Sequence, residues 1–137
     1  MDIQPIRSEQ TLAIRQQVLW PQLSCDACKL DDDERGCHWG VYIEQQLVSV
    51  ASVFIDGDSA RLRKFATLAT YQRQGIGSAL LGHIMMALRQ QSIDYFWCDA
   101  RASACEFYQR FGLTVQSEPF YKSTIPYFKM GITLQLS

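Results

Sequence analysis

A recurrence of apolar residues at every fourth position, Ile76, Leu80, Ile84 and Leu88, constrains this chain more than any other feature. Ala79, His83 and Ala87 lie beside it. Such spacing places one apolar stripe along a long helix, predicted over Tyr71 to Gln91. A helix with one apolar stripe must bury it against another layer. The segments in front supply a sheet. Cys37 to Glu44 is rich in aromatic and β-branched residues, and Leu47 to Ile55 is nearly all apolar. Ala60 to Leu68 follows. Gln45-Gln46 and Asp56-Gly57-Asp58 are the predicted turns, the second a strong hairpin signal. These three strands form an antiparallel meander.

The flanks continue the alternation. Met1 to Ile6 is a short edge strand, confined to an edge by Pro5. A helix follows with Ser8 as N-cap, Ile14 and Val18 on one face, and Pro21 at its end. Ile93 to Asp99 reads as a strand. Ser103 to Glu106 fits a capping box that opens a helix bearing Phe107 and Phe111, and Gly112 stops it. Leu113 to Pro119 and Phe128 to Leu136 are the last strands. The result is a mixed α/β (α+β) chain without linker or repeat. Its 137 residues make one domain, 1–137.

Charge narrows the partners. Thirteen Lys and Arg against 14 Asp and Glu leave a net charge of −1, which is no electrostatic footprint for nucleic acid. No apolar run approaches the roughly 20 residues of a membrane helix. The polar N-terminus is no signal peptide. Five cysteines cannot all pair within the chain, so free thiols in a reducing cytoplasm are expected.

Gln72-Arg73-Gln74-Gly75-Ile76-Gly77 stands at the start of the long helix. Glycines admit a tight turn and close ligand approach. The first helical N–H groups lack intrahelical partners and, with the helix dipole, favour an anion such as a pyrophosphate. Arg73 adds a charge for phosphate oxygens. No Lys follows these glycines, so the P-loop pattern fails. Leu80 stands where a dinucleotide fingerprint needs a small residue, and the meander is not a βαβ repeat.

This segment resembles the Q/R-x-x-G-x-G/A acyl-CoA signature of the GNAT N-acetyltransferases. Ala104-Cys105-Glu106-Phe107-Tyr108-Gln109-Arg110-Phe111-Gly112-Leu113 resembles the A-x-x-F-Y-x-x-x-G-F segment of the same superfamily, with Leu113 for the usual Phe. Both motifs stand in the family's order and at its spacing. The resemblance implies a mostly antiparallel sheet of about six to seven strands with splayed central strands, flanked by about four helices. It implies that acetyl-CoA lies between Ala60–Leu68 and Ile93–Asp99. Its pantetheine would bond the backbone of Phe65, Ala66 and Thr67, and its pyrophosphate would sit on Arg73, Gln74, Gly75, Ile76, Gly77 and Ser78. Arg101 replaces an Asn common in the family.

The implied reaction is direct attack of a primary amine, of a small molecule or peptide, on the thioester. Tyr108 matches the general acid that protonates the leaving thiolate. No Glu occurs on Ala60–Leu68, so the base stays open among His38, Asp99 and the acidic loop Asp31 to Glu34. That loop is a solvated segment that could also attract a cationic amine. Cys25-x-x-Cys28 with Cys37-His38 invites zinc, but adjacent strand residues point to opposite faces, so no metal is expected. The partner is the amine, with no nucleic acid and no membrane, and the chain is a monomer or homodimer. The alternative is an acyl-CoA-binding module with little or no catalysis.

Overall fold

A computed structural model describes residues 1–135. Among them are eight strands and three α-helices. The strands are β1 (Asp2–Ile6), β2 (Cys37–Ile43), β3 (Gln46–Asp56), β4 (Ser59–Thr67), β5 (Tyr95–Arg101), β6 (Thr114–Val115), β7 (Phe120–Lys122) and β8 (Ile125–Thr133). The helices are α1 (Leu12–Ile14), α2 (Ile76–Gln90) and α3 (Cys105–Gln109). The sheet order is β1-β2-β3-β4-β5-β8-β6, with β7 on β8. β4 and β5 are parallel, whereas β1–β2, β2–β3, β5–β8, β6–β8 and β7–β8 are antiparallel. A parallel pair needs a crossover connection, and α2 lies within that connection.

The chain divides into two compact units. The first comprises Met1–Phe54 and Arg63–Ile84; the second comprises Ile55–Leu62 and the chain from Met85 onward. In the first, Ile14, Val50 and Ala66 are buried together, with Ile6, Val18, Leu19, Leu47 and Leu68 packed on them. Full burial of one aliphatic side chain of this kind stabilises by about 1.5–3 kcal/mol. β3 is buried from Val48 to Val53, which explains its nearly continuous apolar run. In the second unit β5 alternates: Phe96, Cys98 and Ala100 are buried, while Tyr95, Trp97 and Asp99 on the other face are half-exposed. β5 pairs with β8 from Tyr95↔Thr133 to Arg101↔Tyr127.

Several expectations need correction. The sheet has eight strands rather than six or seven, because the segment after Gly112 forms a two-residue β6 and a separate β7 instead of one strand. Leu136, the predicted end of the last strand, lies outside the described residues. Three α-helices replace about four. The predicted N-terminal helix is a 3-10 turn at Ser8–Thr11, then α1, then a π turn at Arg15–Leu19 closed by Trp20 N–H to Arg15 C=O at 3.1 Å. Its cap is Arg7 rather than Ser8: Gln10 Oε1 accepts the Arg7 N–H at 2.8 Å. The first hairpin turns at Glu44-Gln45, both left-handed (φ 49 and 69), one residue earlier than predicted. α2 starts at Ile76 rather than Tyr71, since a 3-10 turn (Ala69–Tyr71) and left-handed Arg73 and Gly75 precede it. Ser103 makes no cap, because 102–104 form their own 3-10 turn ahead of α3. Gly112 does end α3, at φ 92, with Leu113 N–H returning to Tyr108 C=O.

Candidate active site

The predicted donor residues all fall in the first unit. Phe65, Ala66 and Thr67 end β4. Arg73 and Gln74 are exposed in the loop, and Ile76, Gly77 and Ser78 open α2. Arg73 and Gly75 hold φ of 64 and 80, a double left-handed bend that reverses the chain into the helix. Two glutamines brace it: Gln72 Nε2 donates to Thr67 C=O at 2.9 Å and Gln74 Nε2 to Thr70 C=O at 3.0 Å. The first intrahelical bond is Ala79 N–H to Gly75 C=O at 3.0 Å. The N–H groups of Ile76, Gly77 and Ser78 therefore precede the helical ladder.

The glycines leave room at this turn. A Cβ at Gly75 would meet no atom within 4 Å. One at Gly77 would lie 3.4 Å from the Phe65 ring and 3.9 Å from Thr67 Oγ1. Thus the structure brings the end of β4 against the first turn of α2. Ala66 is buried, and its carbonyl accepts from Ser49 Oγ at 3.1 Å; Ser49 Oγ also meets Thr67 Oγ1 at 2.8 Å.

Tyr108 lies in the second unit, on α3. It is buried, with Phe107 edge-on at 5.2 Å. Its hydroxyl lies beside the Cys98 thiol. Burial first, then the neighbouring Cys98, raises the phenol well above its ordinary range. Burial and the Asp99 charge push the Cys98 thiol up to about 12. Tyr108 therefore keeps its proton at neutral pH. The β4–β5 register is Ser59↔Tyr95, Ala60↔Phe96 and Arg61↔Trp97, ending one residue before Cys98.

The candidate bases differ in what holds them. His38 is buried, with Nδ1 2.7 Å from Ser52 Oγ and Nε2 2.8 Å from Asp33 C=O. A carbonyl only accepts, so Nε2 carries a proton and Nδ1 is engaged by the Ser52 hydroxyl. Neither ring nitrogen remains for a substrate. Asp99 is half-exposed and pairs with Arg61 at 2.9 Å and Lys122 at 3.7 Å. In the acidic loop, Asp32 pairs with Arg63 at 3.4 Å, and Asp33 is buried. Cys28 is buried while Cys25 and Cys37 are exposed, and among the described residues no group of three His, Cys, Asp or Glu fits a metal ion.

Residues 17–134 match the family profile of the acetyltransferase (GNAT) domain. The chain belongs to the GNAT acetyltransferase family. As a family member it is an acyltransferase. It is 32% identical over 129 residues to the uncharacterized N-acetyltransferase YitI of Bacillus subtilis, covering 88% of this chain and 87% of that one. Among solved structures it is similar to the ribosomal-protein-S18-alanine N-acetyltransferase from Escherichia coli, with a TM-score of 0.86 at 21% identity over 99% of this chain and 95% of the other. An aminoglycoside 6'-N-acetyltransferase complexed with coenzyme A gives a TM-score of 0.82 at 11% identity, covering 100% and 99%. These last two likenesses concern the fold. Among the described residues of this GNAT chain no helix is long and apolar enough to cross a membrane.

Sequence reasoning missed a buried ionic network beside the acidic loop. Arg15, fully buried, donates through Nη1 to Asp33 Oδ2 at 2.7 Å and through Nη2 to Asp33 Oδ1 at 2.9 Å. It also reaches Cys28 C=O at 3.2 Å and Ser52 Oγ at 2.9 Å. Asp33 Oδ2 further accepts Leu30 N–H at 2.9 Å. Burial alone would raise the Asp33 carboxyl, but the Arg15 hydrogen bond, the Leu30 N–H and the guanidinium charge together hold it below its ordinary value. This network ties the acidic loop to β3 and to the π turn. One signal existed: Arg15 falls between Ile14 and Val18, a charge amid apolar positions.

Proposed function

We propose that this GNAT chain transfers the acetyl group of acetyl-CoA to a primary amine of a small molecule or peptide. The observation that carries the reading is the bend at Arg73–Gly75, which opens α2 with its first-turn amides ahead of the helical ladder and no side chain at Gly75 or Gly77. A pyrophosphate suits such a turn. Arg73, Gln74, Gly75, Ile76, Gly77 and Ser78 would hold it, and the backbone of Phe65, Ala66 and Thr67 would hold the pantetheine. The CoA in a structural neighbour of this fold supports the same donor class.

The amine nitrogen attacks the thioester carbon and forms the C–N bond. The tetrahedral intermediate collapses with cleavage of the C–S bond. The leaving thiolate takes the Tyr108 phenolic proton, and the proton lost by the amine passes through solvent to restore the phenol. A phenol kept neutral by burial is available for that donation over the whole neutral range. The odd count of cysteines supports a reducing, cytoplasmic setting.

Thermal unfolding tests the donor assignment. Saturating acetyl-CoA at about a hundred times its Kd adds about 2.7 kcal/mol, which raises Tm by about 8–12 °C in a chain of this size. NADH at equal concentration leaves Tm unchanged. No shift with acetyl-CoA, or an equal shift with NADH, would overturn the assignment.

A further inference from the structure

We infer that one face of the sheet in the second unit is a carboxylate subsite, and that the acceptor is a small amine bearing a carboxylate beside an apolar or aromatic body; this rests on the acetyl-transfer reading above. Successive strand residues point to opposite faces. Tyr108 meets Cys98 on one face of β5, so Trp97 and Asp99 lie on the other. The β4–β5 register ends at Arg61↔Trp97, so this face borders the point where the paired strands part.

Cations outnumber carboxylates there. Arg61 lies over the Trp97 ring at 4.7 Å and pairs with Asp99 at 2.9 Å. Lys122 reaches the same Asp99 at 3.7 Å and lies over the Tyr127 ring at 4.6 Å. Lys129, opposite Asp99 in the β5–β8 register, lies over Trp97 at 4.8 Å and makes no ion pair among the described residues. Arg61 and Lys122 share Asp99 while Lys129 has no carboxylate partner there, so the face keeps an excess of positive charge on an aromatic floor. An anion with an apolar body complements it.

Size favours a small ligand. The three strands β4, β5 and β8 that carry Arg61, Trp97 and Lys129 span two strand spacings, or about 10 Å. The excess charge also serves the chemistry. A nearby positive field disfavours an ammonium ion, so the amine arrives neutral without a carboxylate base on β4.

Binding of phenylacetate, phenylacetamide and 2-phenylethylamine to the CoA-saturated full chain tests this by calorimetry. Phenylacetate is expected to bind about tenfold more tightly than phenylacetamide, and more weakly as salt rises. Lys129→Gln is expected to remove most of that preference, and Arg61→Gln the remainder. Equal affinity for acid and amide, absence of phenylacetate binding, or preference for 2-phenylethylamine would overturn the inference. So would tighter binding of a glutamate-rich peptide than of phenylacetate. A carboxylate preference in a protein that fails to bind acetyl-CoA would instead overturn the donor assignment and leave the anion subsite standing.

Discussion

Replacing Tyr108 by Phe is expected to lower turnover by about 10²- to 10⁴-fold, the usual contribution of a placed general acid. Affinity for acetyl-CoA should be nearly unchanged, because the assigned donor residues all lie on β4 and the α2 turn. The ring still fills its buried position against Phe107, so the fold loses only one buried hydroxyl beside the Cys98 thiol, worth about 1 kcal/mol. Steady-state kinetics with a direct binding measurement separates the two effects. The pH profile adds a sign. The Tyr108 pKa is raised, so its ionisation removes no activity below about pH 10, the ordinary phenol value. Unchanged turnover in the variant would remove Tyr108 as the proton donor.

Arg15→Met is expected to cost about 3–5 kcal/mol, since it strands the buried Asp33 charge without its partner. Urea unfolding measures it. Asp33→Leu alone should be comparably harmful, leaving Arg15 buried and its bidentate acceptor gone. The double variant Arg15→Met/Asp33→Leu should recover much of the loss, because two apolar side chains replace two charges. A double variant as unstable as the sum of the singles would contradict the coupling. The pH dependence follows from the depressed Asp33 pKa. Its contribution is complete above the unfolded carboxylate value, about 3.9, and is lost as pH falls through the lower folded value. The wild type should therefore lose stability on acidification below about pH 4 more steeply than Asp33→Asn.

What was legible in the sequence was mostly local. The α2 stripe, the Asp56-Gly57-Asp58 hairpin and the Gly112 stop each depend on side-chain periodicity or on one residue's backbone freedom. Gly57 and Gly112 have φ of 61 and 92, as those signals require. The Glu44-Gln45 turn carries no such mark, because two ordinary side chains adopt a conformation usually left to Gly or Asn. The π turn at Arg15–Leu19 was hidden because its extra residue is fixed by tertiary burial of Arg15 rather than by propensity. The placement of β8 between β5 and β6 depends on long-range pairing that periodicity cannot encode. At the site, the turn that opens α2 was readable from Gly75 and Gly77. The engagement of both His38 nitrogens and the pairing of Asp99 with both Arg61 and Lys122 arise only when distant strands meet.

The central claim is acyl transfer to an amine, and release of free CoA thiol from acetyl-CoA measures it most directly. A panel of primary amines that includes carboxylate-bearing members should contain at least one that drives CoA release in equimolar step with its N-acetylated product. Tight binding of acetyl-CoA with no amine-dependent thiol release across the panel would contradict the account and make the chain an acyl-CoA-binding module.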